Sequence, residues 1–145
     1  MKKLVLVFAL LLTLVGCTTE TRRAQMRHVL DRAQQQNLDY DSITDVDSIA
    51  LAAAFFDRHG TPNEQMRAYY LLGCAYRDMG EAPAALDLYH EAADRADTAS
   101  QDCDFAQLSR VYGQSAKIFY PSFFWIIFQI HPYILVEKIN MLTEK

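Results

Sequence analysis

The sequence predicts an all-α protein built from antiparallel helix hairpins. Alanine is abundant from residue 21 to residue 119, and apolar residues recur there at helical spacing. Segments that alternate apolar and polar residues, as strands do, are missing from this region. Glycine and proline residues divide it into helices of about fourteen residues joined by short turns, a pattern typical of antiparallel hairpins.

A short apolar segment precedes the helical region. Lys2 and Lys3 give it a positive start, and residues 4–16 carry no charge. Thirteen helical residues cover about 20 Å, less than the roughly 30 Å hydrocarbon core of a bilayer, so we do not expect a permanent membrane span. A positive start, an apolar middle and a small residue before a cut are typical of a secretory signal.

The end of this segment, LVGC at residues 14–17, resembles the lipobox of bacterial lipoproteins. The resemblance implies that residues 1–16 are a lipoprotein signal peptide, that Cys17 receives a covalent lipid, and that residues 17–22 form a lipidated tether. Thr18 is not the aspartate that retains lipoproteins on the inner membrane of enteric bacteria. We therefore expect a cell-envelope protein on the outer membrane, facing the periplasm. The alternative is a chance cysteine after a generic signal.

Charge and cysteine content exclude several functions. Loss of Lys2 and Lys3 would leave 12 of the 14 basic residues against 18 acidic ones, a net charge of about −6. This charge argues against binding to nucleic acid and against electrostatic docking on anionic lipid. Cys74 and Cys103 lie 29 residues apart, which is neither a disulfide framework nor a metal site. We expect both as small buried residues, with a bridge between them as the alternative.

Apolar spacing predicts the first two helices. The first is expected from about Thr21 to Gln36, and the second from a start within residues 42–47 to His59, where Gly60 ends it. The expected buried faces are Met26, Val29, Leu30 and Ala33 in the first helix, and Ile43, Val46, Ile49, Ala50, Ala53 and Phe56 in the second.

Capping residues predict the next two helices. Thr61 is the N-cap of the third, Pro62 takes its first helical position, and Glu64 completes a capping box. Gly80 ends this helix. Pro83 lies near the first turn of the fourth helix, which is expected to end at Ala96. The fourth helix is expected to bury Ala85, Leu88, Tyr89, Ala92 and Ala96.

Residues 66–97 resemble the tetratricopeptide repeat, a helix–turn–helix unit of 34 residues. Its diagnostic places are held here by Tyr69, Leu72, Gly73, Tyr76, Ala85, Tyr89 and Ala92. Asp97 replaces the usual closing proline. We expect the small Gly73 and Ala85 where the two helices cross, and the three tyrosines where the hairpin meets its neighbours.

A second, partial match begins 36 residues later, in a fifth helix expected over residues 102–119. Phe105, Leu108 and Tyr112 repeat the aromatic, leucine and aromatic places of the first match. The first two helices fit the motif poorly, and we expect them to be a degenerate or capping repeat, which the end of a solenoid requires. The predicted domain is a short tetratricopeptide-like (TPR-like) solenoid over residues 23–119.

The resemblance implies a scaffold whose first helices line a concave groove for a partner protein or peptide. The groove residues carried over by position are Arg67, Tyr70, Cys74, Arg77, Asp78, Ala106, Arg110, Gly113 and Gln114. The three arginines would make the groove locally positive and suit acidic or C-terminal carboxylate partners, unless they are merely solvated. Leu71 and Gln107 stand where chaperone-binding members carry asparagine, which disfavours that specialised function.

The sequence predicts neither an enzyme nor a cofactor other than the lipid on Cys17. His28, His59, His90 and His131 stand alone, and neither HExxH nor a glycine-rich phosphate loop is present. The aspartates at positions 39, 41, 45 and 47 lack the glycine and final glutamate of a calcium loop. We expect them to solvate a turn and cap a helix.

Residues 120–145 differ in composition from the rest of the chain. They contain no alanine, whereas the preceding residues contain 18, and they have no glycine, arginine or aspartate. The apolar stretch over residues 122–136 is interrupted and too short for a membrane span. An integral cap of the solenoid and an unrelated end created by a shifted reading frame remain alternatives. An extracytoplasmic sensor fragment of a longer TPR regulatory protein is the alternative function.

Overall fold

The computed structural model describes residues 2–120 of the backbone, with side chains from residue 19 onward. Every regular element in this part of the chain is an α-helix. The helices are α1 (Lys2–Leu38), α2 (Val46–His59), α3 (Pro62–Asp78), α4 (Ala82–Asp94) and α5 (residues 105–120). The predicted all-α fold class is confirmed. The alternatives given for residues 120–145 concern a segment of which all but residue 120 lies outside the described part.

The capping residues predicted for α3 and α4 occupy the expected positions. The Thr61 hydroxyl accepts a hydrogen bond from the Glu64 amide at 3.3 Å, and the Glu64 carboxylate accepts one from the Thr61 amide at 2.9 Å. Gly80 follows α3 with a φ of 83°, in the left-handed region that favours glycine. Pro83 lies in the first turn of α4. These local signals set the length of the central hairpin.

Helix α1 begins earlier than expected. The apolar spacing predicts a start near Thr21, whereas the helix begins at Lys2, so residues 17–22 are part of the helix. Their role as a lipidated tether stays a prediction. The physical reason is that no proline interrupts this stretch and Gly16, which costs about 1 kcal/mol relative to alanine, is its one glycine. Removal of residues 1–16 concerns processing and stays a prediction.

Two further expectations need correction. Ala50 is exposed, and Ala52 is buried in its place. The buried stripe of α2 follows the spacing i, i+3, i+4, i+7 from Ile49, and Ala50 falls beside it. Helix α5 starts at residue 105, because the carboxylate of Asp104 accepts the amide of Gln107 at 2.9 Å and caps the first turn.

The first helices of the successive hairpins run parallel and side by side. Arg27 pairs with Glu64 at 2.8 Å and Arg67 with Asp31 at 2.8 Å, so positions along α1 and α3 increase together. At the start of α3, the side chain of Asn63 donates to the carbonyl oxygen of Asp102 at 2.6 Å and accepts the amide of Asp104 at 3.0 Å. These two hydrogen bonds place the start of α5 beside the start of α3. Helices α2 and α4 return in the opposite direction, giving a stack of hairpins.

Within the central hairpin, α3 and α4 cross at Gly73. A Cβ atom at this position would lie 2.6 Å from Cε1 of Tyr89 and 3.2 Å from the carbonyl oxygen of Ala85. Both Ala85 and Tyr89 are fully buried. The predicted location of Gly73 and Ala85 at the helix crossing is therefore confirmed, since any larger residue at Gly73 would displace the tyrosine ring.

Tyr69 joins the central hairpin to the preceding one. Its hydroxyl donates to the carboxylate of Asp57 on α2 at 3.3 Å, and the guanidinium of Arg95 lies 3.8 Å from its ring centroid. Arg95 also pairs with Asp57 at 2.8 Å. The largest cause of the lowered pKa of Asp57 is its hydrogen bond to Arg95. One tyrosine thus collects contacts from α2 and the end of α4, as the repeat pattern predicts.

The aromatic residues of the second match are placed differently. Leu108 is buried, but Phe105 is 57% exposed and Tyr112 is 59% exposed. Tyr69, their counterpart in the central hairpin, is covered by groups from α2 and α4. No helix of the described part covers the corresponding face of α5, and this exposes its aromatic residues.

Candidate binding cleft

A cleft with a volume of about 600 Å³ opens between the C-terminal end of α1, the C-terminal half of α3 and α5. We call it the α1–α3–α5 cleft. Its lining residues are Asn37, Leu38, Tyr40, Asp41, Ser42, Tyr70, Arg77, Asp78, Arg110, Gly113, Gln114 and Lys117. The parallel arrangement of the three first helices produces it, because their side chains face one another across the stack.

Six of the nine residues predicted for the groove line this cleft. They are Tyr70, Arg77, Asp78, Arg110, Gly113 and Gln114. Arg67, Cys74 and Ala106 are not among the lining residues. Sequence reasoning missed Tyr40 and Lys117. Lys117 lies seven residues after Arg110, so helical spacing offered a signal for it, whereas nothing in the sequence placed the loop residue Tyr40 here.

Arg67 connects two helices and does not line the cleft. Its guanidinium pairs with Asp31 at 2.8 Å and donates to the side-chain oxygen of Gln34 at 2.6 Å. Both partners belong to α1, which the resemblance treated as a poor copy of the repeat. Because α1 packs directly beside α3, Arg67 contacts α1 in the place where a groove arginine would contact a ligand.

Cys74 lies beneath the cleft in the core. It is fully buried, and the hydroxyl of Tyr89 lies 3.6 Å from its sulfur. Burial raises the pKa of the Cys74 thiol, which keeps it neutral and poorly reactive. Tyr70 stacks near Tyr89, with ring centroids 5.9 Å apart, and burial raises the pKa of Tyr70 to about 12. These three residues form a packed floor.

An ion pair at the end of α3 joins the floor to α1 and to the loop before α2. Arg77 pairs with Asp78 at 2.7 Å and also donates to the side-chain oxygen of Asn37 at 3.0 Å. The other oxygen of Asp78 accepts the amide of Ile43 at 3.0 Å. Because Arg77 and Asp78 neutralise each other, neither contributes net charge to the cleft.

The α5 wall carries the uncompensated charges. Arg110 donates to the side-chain oxygen of Gln107 at 3.3 Å, and neither Arg110 nor Lys117 forms an ion pair in the described residues. The side-chain nitrogen of Gln107 is buried without a hydrogen-bond partner. Asp41 stands at the opposite rim. The two cations exceed the one free carboxylate, so the cleft is locally positive on an acidic protein.

Tyr40 adopts a backbone conformation that disfavours its residue type. Its φ is 60°, and it is the one non-glycine residue with a positive φ among those described. The amides of Asp39 and Asp41 bond back to Gln35 and Gln36 at 3.0 and 2.9 Å, closing the end of α1 around it. Glycine is the usual residue at such a helix end. This position carries a tyrosine instead, and its side chain is 97% exposed.

The predicted aspartate cluster includes a helix cap. Asp45 caps α2 by accepting the Ser48 amide at 3.3 Å, in agreement with the expected capping role of this aspartate cluster. Within the part of the chain that the structure describes, no group of three or more His, Cys, Asp or Glu residues could hold a metal ion. No described helix combines the length and hydropathy needed to cross a membrane.

Comparison of the chain with protein-family models, with curated proteins and with solved structures finds no match in any of the three. The resemblance to tetratricopeptide repeats therefore depends on the residue pattern over residues 66–97 and on agreement with the stacking of the helices.

Proposed function

We propose that this protein is a lipid-anchored scaffold of the tetratricopeptide type, which binds a partner protein through the α1–α3–α5 cleft in a bacterial cell envelope. The observation that carries the proposal is the cleft itself. Six residues chosen by their position in the repeat, among them Arg77 and Gln114, come together around one concave surface.

The continuous helix α1 supports the combination of anchor and scaffold in one chain. Twenty residues separate Cys17 from Asn37, and both belong to this helix. At 1.5 Å per residue they span about 30 Å. The cleft would thus stand clear of the lipid headgroups, at the end of α1 remote from the acylated cysteine, where a second protein has access to it.

Site-specific photo-crosslinking in the native envelope tests the proposal. A photoreactive amino acid replaces Gln114 in the cleft, and the same amino acid replaces Asp87, an exposed residue of α4 outside the cleft, as the matched control. We expect a discrete cross-linked product from position 114 and none from position 87. No product at 114, or the same product at both positions, would contradict a binding role for the cleft.

A further inference from the structure

We infer that the α1–α3–α5 cleft selects an extended acidic peptide segment in which two carboxylates lie three residues apart. In this arrangement Arg110 and Lys117 pair with the carboxylates, and the ring of Tyr40 packs over the peptide from the opposite rim. The inference rests on the proposed function, because it names the chemistry of the partner at the same cleft.

The spacing of the two cations defines the ligand. Arg110 and Lys117 lie seven residues apart on α5, which is about 10.5 Å along the helix and close to two full turns. Their side chains therefore point in similar directions. A peptide in the extended polyproline II conformation advances about 3.1 Å per residue with three residues per turn, so side chains three residues apart lie on the same face, about 9.3 Å from each other. A Glu-x-x-Glu segment matches this separation, whereas adjacent glutamates do not.

The charge balance of the cleft favours carboxylates over cations. Arg77 and Asp78 form a closed pair at 2.7 Å, which leaves Arg110 and Lys117 against the single carboxylate of Asp41. The whole chain has a net charge of −4, so this positive wall is a local feature. Ion pairs to an arginine guanidinium are among the stronger polar contacts, and they give direction as well as attraction. The net negative charge disfavours nucleic acid as the ligand.

Tyr40 contributes a contact that the fold itself does not use. The left-handed conformation disfavours any residue with a Cβ, and the ring is 97% exposed. Glycine would close the end of α1 with less strain. Backbone strain at a residue that lines a cleft is a pointer to function, and an exposed aromatic ring supplies a large contact area to a bound chain. We therefore assign Tyr40 to the ligand and not to the stability of the domain.

Fluorescence anisotropy with the full-length protein in detergent micelles tests the inference. The probes are labelled, C-terminally amidated peptides of equal length with two glutamates three residues apart, two adjacent glutamates, or two lysines three residues apart. We expect the first to bind at least fivefold more tightly than the second, and the lysine peptide not to bind. Binding should weaken at least fivefold between 50 and 500 mM salt.

Variants locate the binding in the cleft. The double variant Arg110→Ala/Lys117→Ala should weaken binding at least tenfold, while Arg58→Ala, which removes an exposed arginine of α2, should change it less than twofold. Tyr40→Gly should weaken binding at least threefold with an equal or higher melting temperature, and Tyr40→Phe should retain binding. This combination separates a ligand contact from a structural role.

Three outcomes would overturn the inference. The first is equal affinity for the spaced and adjacent glutamate peptides, the second is equal affinity for the glutamate and lysine peptides, and the third is an acidic peptide whose binding the double variant leaves unchanged. Cross-linking at position 114 tests the proposed scaffold function independently of the peptide experiment. If a partner is captured there while the acidic peptides fail, the cleft is a binding site for a different chemistry. If capture also fails, the proposed function itself is wrong.

Discussion

The ring of Tyr89 lies directly against the backbone of Gly73, in the space that a Cβ atom would occupy. Such an atom would be 2.6 and 2.7 Å from two ring carbons, and the ring cannot retreat because Tyr89 is fully buried. The contact brings α3 and α4 close enough for Ala85 to pack at the same crossing. The absence of a side chain at Gly73 therefore sets the distance between α3 and α4.

Gly73→Leu should destabilise the protein through this contact. Overpacking a dense core costs about 1–3 kcal/mol or more, which lowers the melting temperature by several degrees in a domain of this size. Thermal unfolding followed by circular dichroism is the measurement. Asp87→Ala, an exposed change on α4, is the control and should leave the melting temperature unaltered. Equal melting of the two variants would show that α3 and α4 do not cross at Gly73.

The two thiols of the helical domain should differ in reactivity. Cys74 is fully buried, whereas Cys103 is half-buried beside the start of α5. Because the thiolate is the reactive form, the raised pKa of Cys74 adds to its lack of access. In a Cys17→Ser background at pH 8, we expect one thiol to react rapidly with an aromatic disulfide reagent, and Cys103→Ser to abolish this phase. Two rapidly reacting thiols would place Cys74 at the surface of the cleft.

Glu64 should make stability depend on acidic pH. Burial alone would raise its pKa, but the hydrogen bond from the Thr61 amide and the contact with Arg27 outweigh burial, so the pKa lies below 4.5. A carboxyl group with a lowered pKa in the folded state stabilises the protein above its unfolded pKa, and this stabilisation is lost as pH falls through the folded value. Glu64→Gln keeps the capping-box acceptor but removes the charge, so it should cost about 0.5–1 kcal/mol at pH 7 and less at pH 3. Urea unfolding at both pH values measures the difference. An equal loss of stability at pH 7 and pH 3 would mean that the charge of Glu64 does not contribute to the free energy of unfolding.

Sequence reasoning succeeded where the signal was local. Thr61 and Pro62 mark the start of α3 by their own chemistry, and the small Gly73 identifies the helix crossing through the repeat pattern. It failed where the outcome depended on packing between distant segments. The repeat pattern assigns Arg67 to the groove, yet Asp31 of α1 is its partner. The pattern could not predict this contact, because α1 itself fits the repeat motif poorly.

The cleft shows the same division between local and long-range information. Arg110 and Gln114 both line the cleft because position along a helix determines the direction of a side chain. Tyr40 could not be found from the sequence, since its importance comes from a positive φ at a helix end and from the rim that this end forms. Loop conformation of this kind is set by the hydrogen bonds that close α1, and glycine is the residue that usually adopts it.

The exposed aromatic stripe of α5 predicts self-association. Phe105, Tyr112 and Phe119 recur every seven residues and are 57, 59 and 53% exposed. Large exposed apolar patches promote association, whereas single substitutions at exposed positions change stability by about 0.5 kcal/mol or less. Tyr112→Ser/Phe119→Ser should therefore reduce aggregation measured by light scattering and leave the melting temperature within about a degree or two. A fall of several degrees would instead show that another part of the chain covers the stripe, as an integral cap formed by residues 120–145 would.

Lipid attachment at Cys17 is the prediction on which the cellular location depends. The LVGC motif at residues 14–17 follows an uncharged segment that begins after Lys3, so cleavage before Cys17 and acylation of its sulfur are expected. Two or three acyl chains hold a protein on a bilayer, because each buried methylene contributes about 0.8 kcal/mol and a single chain binds only marginally. Intact mass spectrometry of the protein extracted from membranes should give a chain that starts at Cys17 and carries the mass of these acyl groups. Cys17→Ser should leave the precursor uncleaved at this position and without added lipid mass, while Thr18→Ser, one residue away, should be processed normally. A Cys17→Ser protein that is still cleaved at residue 17 and still partitions into detergent would disprove the anchor and leave residues 1–16 as an ordinary secretion signal.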